Sequence, residues 1–222
     1  MLTDVSLRRT SLRDQVLSAI RNGLVTGQIV PGVVYSAAAL AAELGVSNSP
    51  VREAMLALVD EGLMEVVPNR GYRPVTLTAA DTAEIIQLRE LLEVPAVGLA
   101  AESDISDVQA TLENLVEVIE ETAKAGDIAG NLDADREFHL VLASASGNRR
   151  LASLVASLRD QARLYNLRHL AESGELRASA AEHRPLLAAV ASGDRPLAER
   201  LMRAHLAHLT TDWSAPGAGG RQ

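Results

Sequence analysis

The chain has 222 residues, of which 47% are hydrophobic and 23% are charged, and its formal net charge is −8. At about 150 residues per domain, this length allows one large or two small domains with a buried core, and the composition excludes a mostly disordered chain. Residues 1–10 lack the apolar stretch of a signal peptide, and no apolar run reaches the about 18 residues of a membrane-spanning helix. The absence of cysteine excludes disulfide frameworks, thiolate metal sites and cysteine nucleophiles. We expect a cytoplasmic protein.

The charge is distributed unevenly along the chain. Residues 1–76 contain seven arginines and seven acidic residues, which leaves fourteen basic and twenty-two acidic residues in 77–222, so the whole negative charge belongs to the second part. A neutral first part with several arginines is compatible with DNA binding, while an acidic second part would face away from DNA. An accidental asymmetry is the alternative at this point.

The first part of the chain has the pattern of a winged helix-turn-helix domain, which we place at 1–76. An apolar stripe with helical spacing over 11–24 predicts a first helix. A second helix over 37–44 ends at Gly45, and a third begins around Ser47 and Pro50 and ends at Gly62. Two short apolar segments, 63–67 and 72–75, flank a turn and predict a hairpin.

The second part is predicted to be entirely helical, so the fold class is mainly α. A capping box that starts at Thr78 opens a long helix, and strand patterns do not return after it. We predict a six-helix bundle over 77–213, with helices at about 79–101, 105–125, 127–146, 148–171, 176–192 and 195–213. The segment 214–222 is rich in Gly, Ala and Pro and is predicted to be a disordered tail.

The helix-turn-helix pattern suggests which residues meet DNA. A short helix followed by a tight turn directs the start of the next helix into the major groove, and the backbone N–H groups at that start favour phosphate oxygens. The hairpin tip could enter a minor groove. The predicted DNA-binding residues are Ser47, Asn48, Ser49, Arg52, Arg70 and Gly71. The alternative is a small helical domain whose hairpin has only a structural role.

The segment Leu40–Met55, LAAELGVSNSPVREAM, resembles the signature LAxxLGVSRxPVREAL of the GntR family. The resemblance extends over about 11–76 and implies a DNA-binding transcriptional regulator. The sequence departs from the family at Asn48, where arginine is usual, and at Ala37 and Ala38, where charged residues are usual. Because the basic residues at these positions contact DNA in the family, these changes imply weaker phosphate contacts or a different base preference.

Four residues of the second part have the pattern of a metal site. Asp135 and His139 are four residues apart and share one helix face, and His183 and His205 lie on other predicted helices. Three imidazoles and a carboxylate that converge in a helical bundle would suit Zn²⁺, Ni²⁺ or Mn²⁺. The alternatives are surface residues and a buried histidine that is simply hydrogen-bonded.

These residues also occur in segments that resemble the FCD effector domain of the FadR branch of GntR regulators. The segments are Asp135–His139 (DREFH), Glu182–Arg184 (EHR) and Arg203–Leu206 (RAHL). The resemblance spans about 79–210 and implies that the metal ligands are Asp135, His139, His183 and His205. Six helices rather than seven suggest the VanR-like subgroup. His169 and His208 match no family ligand and are interpreted as surface or supporting residues.

In the FCD family, the metal anchors a small carboxylate effector, so the resemblance implies such a ligand here. Arg89 lies in a segment similar to the family's R-x-x-L-E helix and could bind the effector's carboxylate. It could equally form a salt bridge with Glu93. Asn148 matches a recurrent family position and either lines the pocket or caps the next helix.

Two other functions compete with an effector-responsive dimeric regulator that binds a palindromic operator. A metal-dependent hydrolase-type enzyme could use the Asp/His₃ group to activate water, but Glu137 and Glu182 are badly placed to act as its general base. A nucleoid or scaffold protein with a vestigial pocket is disfavoured because all four metal positions are filled. We therefore predict a regulator and no enzyme activity.

Overall fold

The computed structural model describes the backbone of residues 11–25, 27–173 and 176–211, and the side chains of these residues except 25, 163–173 and 208–211. The side chains of His169 and His208 and the predicted tail 214–222 lie outside the described residues. The chain divides into two compact units, Met1–Thr76 and Leu77–Gln222.

The described residues of the first unit form a winged helix-turn-helix, as predicted. Its elements in chain order are α1 (Leu12–Val25), α2 (Ala37–Leu44), α3 (Asn48–Asp60), β1 (Met64–Val67) and β2 (Gly71–Pro74). The two strands pair in antiparallel register, with Met64 opposite Pro74.

Local sequence explains where the two helices of the helix-turn-helix begin and end. The hydroxyl of Ser36 accepts a hydrogen bond from the backbone N–H of Ala39 and caps α2. Gly45 ends α2 in the left-handed conformation, with φ of 68°. Val51, Met55 and Leu58 repeat at helical spacing on α3 and are fully buried. This buried face leaves the opposite face of α3 free to meet a ligand.

A close backbone contact joins the wing to the segment before α2. The backbone N–H and C=O groups of Tyr35 and Tyr72 pair reciprocally, at 2.7 and 2.9 Å. Gly71, next to Tyr72, has φ of 136°, and a Cβ at this position would lie 2.3 Å from the carbonyl oxygen of Tyr35. Only glycine fits here, because both the conformation and the space exclude a side chain.

Replacing Gly71 by alanine is therefore expected to detach the wing and to destabilise the first unit by about 1–3 kcal/mol. Gly45→Ala is a matched control, because Gly45 also has positive φ (68°) but has no neighbour within 4 Å of the added Cβ. It should lose only the strain of the left-handed conformation, about 1 kcal/mol. Thermal unfolding measures both losses, and equal losses would show that the contact with Tyr35 is unimportant.

The described part of the second unit is entirely helical, as predicted. Its elements are α4 (Ala79–Ala101), α5 (Ser106–Ala125), α6 (Ile128–Ala145), α7 (Arg149–Ser173), α8 (Leu176–Ala181), α9 (His183–Ala191) and α10 (Arg195–Thr211). The predicted capping box is present at the start of α4, where Thr78 and Asp81 satisfy each other's backbone N–H groups.

The predicted helix over 176–192 is wrong as a single element and is broken at Glu182 into α8 and α9. Pro185 gives the physical reason, since proline cannot donate to the carbonyl four residues before it, at Ala181, and its ring clashes with that group. In the structure Pro185 lies in the first turn of α9, where its missing N–H has no cost. The described residues of the second unit thus form seven helices rather than six. The assignment to the VanR-like subgroup was based on a count of six helices, so it stays a prediction and loses that argument.

The core of the second unit surrounds the middle of α6. Phe138 is fully buried and packs in one cluster with Leu142, Leu186, Met202 and Leu206, which come from α6, α9 and α10. Helix α4 packs against α10, and α6 packs against α5 and α7. This packing brings the inner faces of α6, α9 and α10 together, and these are the helices that carry the predicted metal ligands.

Candidate metal centre and DNA-binding surface

Four potential metal ligands converge inside the second unit. Asp135 and His139 lie one turn apart on α6, His183 is the first residue of α9, and His205 lies on α10. One donor atom from each residue lies within 4.8 Å of the donor atom of every other residue. The three imidazoles are buried, whereas Asp135 is partly exposed. The structure therefore brings together all four residues that the sequence analysis selected.

The two carboxylate oxygens of Asp135 have different neighbours. Oδ1 lies 3.0 Å from Nε2 of His183 and 3.7 Å from Nε2 of His139. Oδ2 accepts a hydrogen bond of 2.8 Å from the guanidinium of Arg159. Burial by itself would raise the pKa of Asp135, but the charge of Arg159 and the contact with His183 outweigh it and hold the pKa well below its usual value. Asp135 is therefore an anion with one oxygen directed at the imidazoles.

In two of the imidazoles, those of His183 and His205, Nδ1 lies within hydrogen-bond distance of an acceptor oxygen. For His183, Nδ1 lies 3.1 and 3.2 Å from the backbone carbonyl oxygens of Ser179 and Ala180. For His205, Nδ1 lies 2.8 Å from Oε2 of Glu182. Because a carbonyl or a carboxylate can only accept, Nδ1 carries the proton in both rings, and in the neutral rings Nε2 keeps its lone pair. Nε2 is therefore the nitrogen that each of these two rings could offer to a metal ion.

His139 is the imidazole of the centre that no hydrogen bond holds. Both of its ring nitrogens are buried and have no hydrogen-bond partner. The nearest carboxylate oxygens are 3.5 Å from Nδ1, on Glu93, and 3.7 Å from Nε2, on Asp135. Burial, followed by the charge of Arg159, lowers the pKa of His139 well below its usual value, so the ring is neutral at neutral pH. A buried ring with two unsatisfied nitrogens is costly unless a ligand satisfies one of them.

These observations fit a divalent metal ion. Nε2 of His183 and Oδ1 of Asp135 face each other at 3.0 Å, a distance that requires a proton or a cation beside them. Metal–nitrogen and metal–oxygen bonds are about 2.1 Å long, so two ligands of one ion are at most about 4.2 Å apart. The widest separation in the group, 4.8 Å at most, needs to close by only about half an ångström.

A buried network of ion pairs contacts Asp135 at its second carboxylate oxygen, Oδ2. Arg159 on α7 donates to Asp135 and, through Nε at 2.9 Å, to Glu93, and Glu93 also accepts from Nε of Arg89 at 2.7 Å. Burial alone would raise the pKa of Glu93, but the two guanidinium groups outweigh it and lower the pKa. Sequence reasoning missed Arg159. Arg159 follows the apolar residue Val155 by four positions and precedes the apolar residue Ala162 by three, and both of these are buried. This helical spacing could have indicated that Arg159 lies on the inner face of α7.

The two residues predicted to bind an effector have clear roles in the structure. Arg89, whose two alternatives were left open, forms the buried salt bridge with Glu93. The amide oxygen of Asn148 accepts from the backbone N–H groups of Arg150 and Leu151, at 3.1 and 3.2 Å, so this exposed residue caps α7. Contact of either residue with an effector stays a prediction.

A small cavity adjoins the centre at His139. Its volume is about 10 Å³, and Glu93, Val97, Leu142 and Met202 are among the residues that line it. This volume is at the lower limit for one water molecule. An effector larger than water could bind there only if these side chains moved.

The predicted DNA-binding residues of the helix-turn-helix share one surface. Ser47, Asn48, Ser49 and Arg52 are all exposed, around the first turn of α3. Ser47 occupies the N-cap position, but its hydroxyl makes no capping hydrogen bond. The unoccupied hydroxyl and the first N–H groups of α3 form a surface suited to a phosphate oxygen.

The wing presents a single basic side chain at its tip, the exposed Arg70. Its neighbour Gly71, which was also predicted to meet DNA, is partly buried against Tyr35 and is needed for the attachment of the wing. Ala37 and Ala38, where the sequence lacks the family's charged residues, lie in the first turn of α2. The predicted DNA-binding residues of the described first unit therefore lie at the start of α3 and at the wing tip.

Comparison with known proteins identifies the chain. Residues 12–73 match the model of the bacterial regulatory proteins of the gntR family, and residues 84–208 match the model of the FCD domain. The chain belongs to the GntR family and carries an FCD domain. GntR proteins with this arrangement are transcriptional regulators, with a DNA-binding domain and an effector domain, and they are not enzymes. The hydrolase-type alternative is thereby excluded.

Relatives named as HTH-type transcriptional regulators align over most of the chain. It is 34% identical over 208 residues to an HTH-type transcriptional regulator in an unstable DNA locus of Streptomyces ambofaciens, with 92% of this chain and 85% of the relative covered. It is 30% identical over 200 residues to the HTH-type transcriptional regulator YdhC of Bacillus subtilis, with 87% of each covered.

The fold comparison leads to the same family. The structure of McbR (YncC) from E. coli aligns with a TM-score of 0.80 and 27% identity, over 92% of this chain and 98% of McbR. Within the described residues, no helix is long and apolar enough to cross a membrane. The cytoplasmic location stays a prediction.

Proposed function

We propose that the FCD domain binds one divalent transition-metal ion, Zn²⁺, Ni²⁺ or Mn²⁺, through Asp135, His139, His183 and His205. The observation that carries this proposal is the buried His139, whose two ring nitrogens have no partner although three other donor groups lie within 4.8 Å. When bound, the ion would act as a Lewis acid that holds an anionic ligand. It would also take the place of a proton between Nε2 of His183 and Oδ1 of Asp135.

The charge balance of the buried site favours an anionic effector. Without metal, the two arginines Arg89 and Arg159 are balanced by the two carboxylates Glu93 and Asp135, and burial keeps His139 and His205 neutral by lowering their pKa. A divalent ion adds two positive charges, and Glu182 at the edge of the site offsets only one of them. A small carboxylate effector would neutralise the rest. This ligand class is the one that the sequence analysis predicted.

Elemental analysis and native mass spectrometry of the purified protein test the metal proposal directly. We expect one equivalent of a transition metal per chain and, where the effector co-purifies, an added mass that is lost together with the metal. A chain that contains no metal, and that takes up none when incubated with Zn²⁺, Ni²⁺ or Mn²⁺, would contradict the proposal.

We also propose that the protein binds a palindromic operator as a homodimer. Two copies related by a two-fold axis place two recognition helices on successive turns of the major groove, so the operator repeats the symmetry of the protein. The contacts to DNA would come from Ser47, Asn48, Ser49, Arg52 and Arg70. A small carboxylate at the metal centre would then modulate operator affinity.

Arg52→Ala is expected to weaken operator binding by about 1–3 kcal/mol if Arg52 reads a base. Arg13→Ala is the matched control, since it removes a partly exposed arginine of the same unit that lies on α1 and pairs with Asp14. Fluorescence anisotropy with operator and with random DNA at several salt concentrations measures the effect. An equal loss on both DNAs would assign Arg52 to phosphate contact, and no loss on either would remove it from the interface.

Asn48→Arg is expected to change base preference at one position of each half-site or to tighten general DNA binding. Asparagine pairs well with the N6 and N7 atoms of adenine, whereas arginine prefers O6 and N7 of guanine or a phosphate. Selection from random DNA with both proteins measures the change. Identical selected sites and equal affinities would show that this exposed position makes no contact with DNA.

A further inference from the structure

Glu182 is the single residue between helices α8 and α9 of the FCD domain. Helix α8 ends at Ala181 and α9 begins at His183, so the break imposed by Pro185 places Glu182 in the turn. There Glu182 directly precedes one predicted metal ligand in the chain. Its side chain contacts another, His205, which comes from α10.

The contact between Glu182 and His205 is short and partly shielded from water. Oε2 of Glu182 lies 2.8 Å from Nδ1 of His205, the side chain of His205 is 7% exposed, and that of Glu182 is 28% exposed. A carboxylate at this distance accepts a hydrogen bond from Nδ1, and this bond selects the tautomer with a proton on Nδ1. The opposite nitrogen, Nε2, then keeps its lone pair.

The three imidazoles of the centre differ in what holds them. Backbone carbonyls of α8 hold His183, and no hydrogen bond holds His139. His205 is the imidazole whose Nδ1 is bonded to a charged side chain. A carboxylate bonded to a metal-ligating imidazole fixes the ring orientation and makes the ring a stronger donor.

We propose that Glu182 is a positioning residue of the metal centre, which holds His205 with Nδ1 protonated and Nε2 directed at the ion. The inference rests on the proposed metal binding and goes beyond it, because it assigns a function to a residue outside the set of four ligands. The helix break that Pro185 imposes places Glu182 in the turn from which it reaches His205 of α10.

Glu182→Ala and Glu182→Gln test the two parts of this role. Alanine removes the acceptor, so His205 is free to carry its proton on Nε2, and we expect metal affinity to fall by about 10- to 100-fold. Glutamine keeps an acceptor oxygen but loses the charge, so we expect a smaller loss. Glu102→Gln is the control, because Glu102 is an exposed glutamate at the end of α4 that pairs with Arg195 at 2.8 Å. It should leave metal affinity unchanged.

Two measurements separate a positioning role from a structural one. Competition of Zn²⁺ between the protein and a chromophoric chelator gives the metal affinity of each variant. Nitrogen-15 NMR of the imidazoles in metal-free protein, above about pH 8 where histidine is neutral, reports which nitrogen of His205 carries the proton. The second measurement needs no metal, so it tests the contact with Glu182 even if the proposed metal binding fails.

The expected result is an Nδ1-protonated His205 in the wild type and in Glu182→Gln, a shift towards Nε2 protonation in Glu182→Ala, and a parallel order of metal affinities. An unchanged tautomer in Glu182→Ala would overturn the proposal, as would unchanged Zn²⁺ affinity in a folded Glu182→Ala protein. If Glu182→Ala does not fold, Glu182→Gln decides, because a Zn²⁺ affinity equal to that of the wild type would exclude a contribution of the charge.

Discussion

Replacing His183 and His205 together by alanine is expected to abolish metal binding by the FCD domain. The double variant keeps Asp135 and His139, but two ligands on one helix cannot complete a site for a transition metal, whose structural and catalytic sites use three or four protein ligands. Metal that stabilises the wild type in proportion to RT ln(1 + [L]/Kd) should no longer raise the melting temperature. Elemental analysis and thermal unfolding with and without metal measure the two losses.

Glu137→Ala is the control for this experiment, since Glu137 is exposed on the same helix as Asp135 and His139. It should bind one equivalent of metal, as the wild type does. In the wild type, binding should also weaken as the pH falls, because protons compete with the ion for the imidazoles. Metal content that is unchanged in the His183→Ala, His205→Ala double variant would show that the ion binds elsewhere.

A small carboxylate that binds at the metal centre is expected to change operator affinity by roughly 5- to 150-fold, which corresponds to a coupling of about 1–3 kcal/mol. The centre lies in Leu77–Gln222 and the DNA-binding residues lie in Met1–Thr76. An effector can therefore act on DNA binding only if it binds two arrangements of the protein with different affinity. By reciprocity, operator DNA must change the affinity for the effector by the same factor.

A thermal-shift screen of mono- and dicarboxylates on metal-loaded protein would find such an effector. The stabilisation should vanish in His139→Ala, which removes a metal ligand. It should shrink in Arg89→Ala if Arg89 leaves Glu93 to bind the acid. The coupling free energy can then be measured in two independent ways. One is the operator affinity with and without the acid, and the other is the acid affinity with and without operator DNA. An acid that stabilises the protein equally well after the metal ligands are removed would refute the metal-anchored mechanism.

The sequence by itself determined the domain types and the identity of the candidate ligands. The helical spacing on α3, the glycine at the end of α2 (Gly45) and the two short apolar segments around the hairpin turn are local signals, and they sufficed to predict the winged helix-turn-helix. The Thr78 capping box is local as well. Asp135 and His139 are one turn apart on one helix, so their common face could be predicted from helix geometry alone. The break at Glu182 was also encoded locally, in Pro185, but the apolar pattern on both sides concealed it.

The tertiary structure decided everything that depends on partners distant in the chain. The contact of Arg159 with Glu93 joins residues 66 positions apart, and that of Glu182 with His205 joins residues 23 positions apart on different helices. Gly71 is required because of Tyr35, 36 positions earlier, whose backbone pairs with the neighbouring Tyr72. Charge, size and helix spacing show which residues could form an ion pair, accept a proton or hold a metal. Only the packing of α4, α6, α7, α9 and α10 against one another selects the partner that each buried charge needs, because the cost of burying a charge depends on what lies next to it.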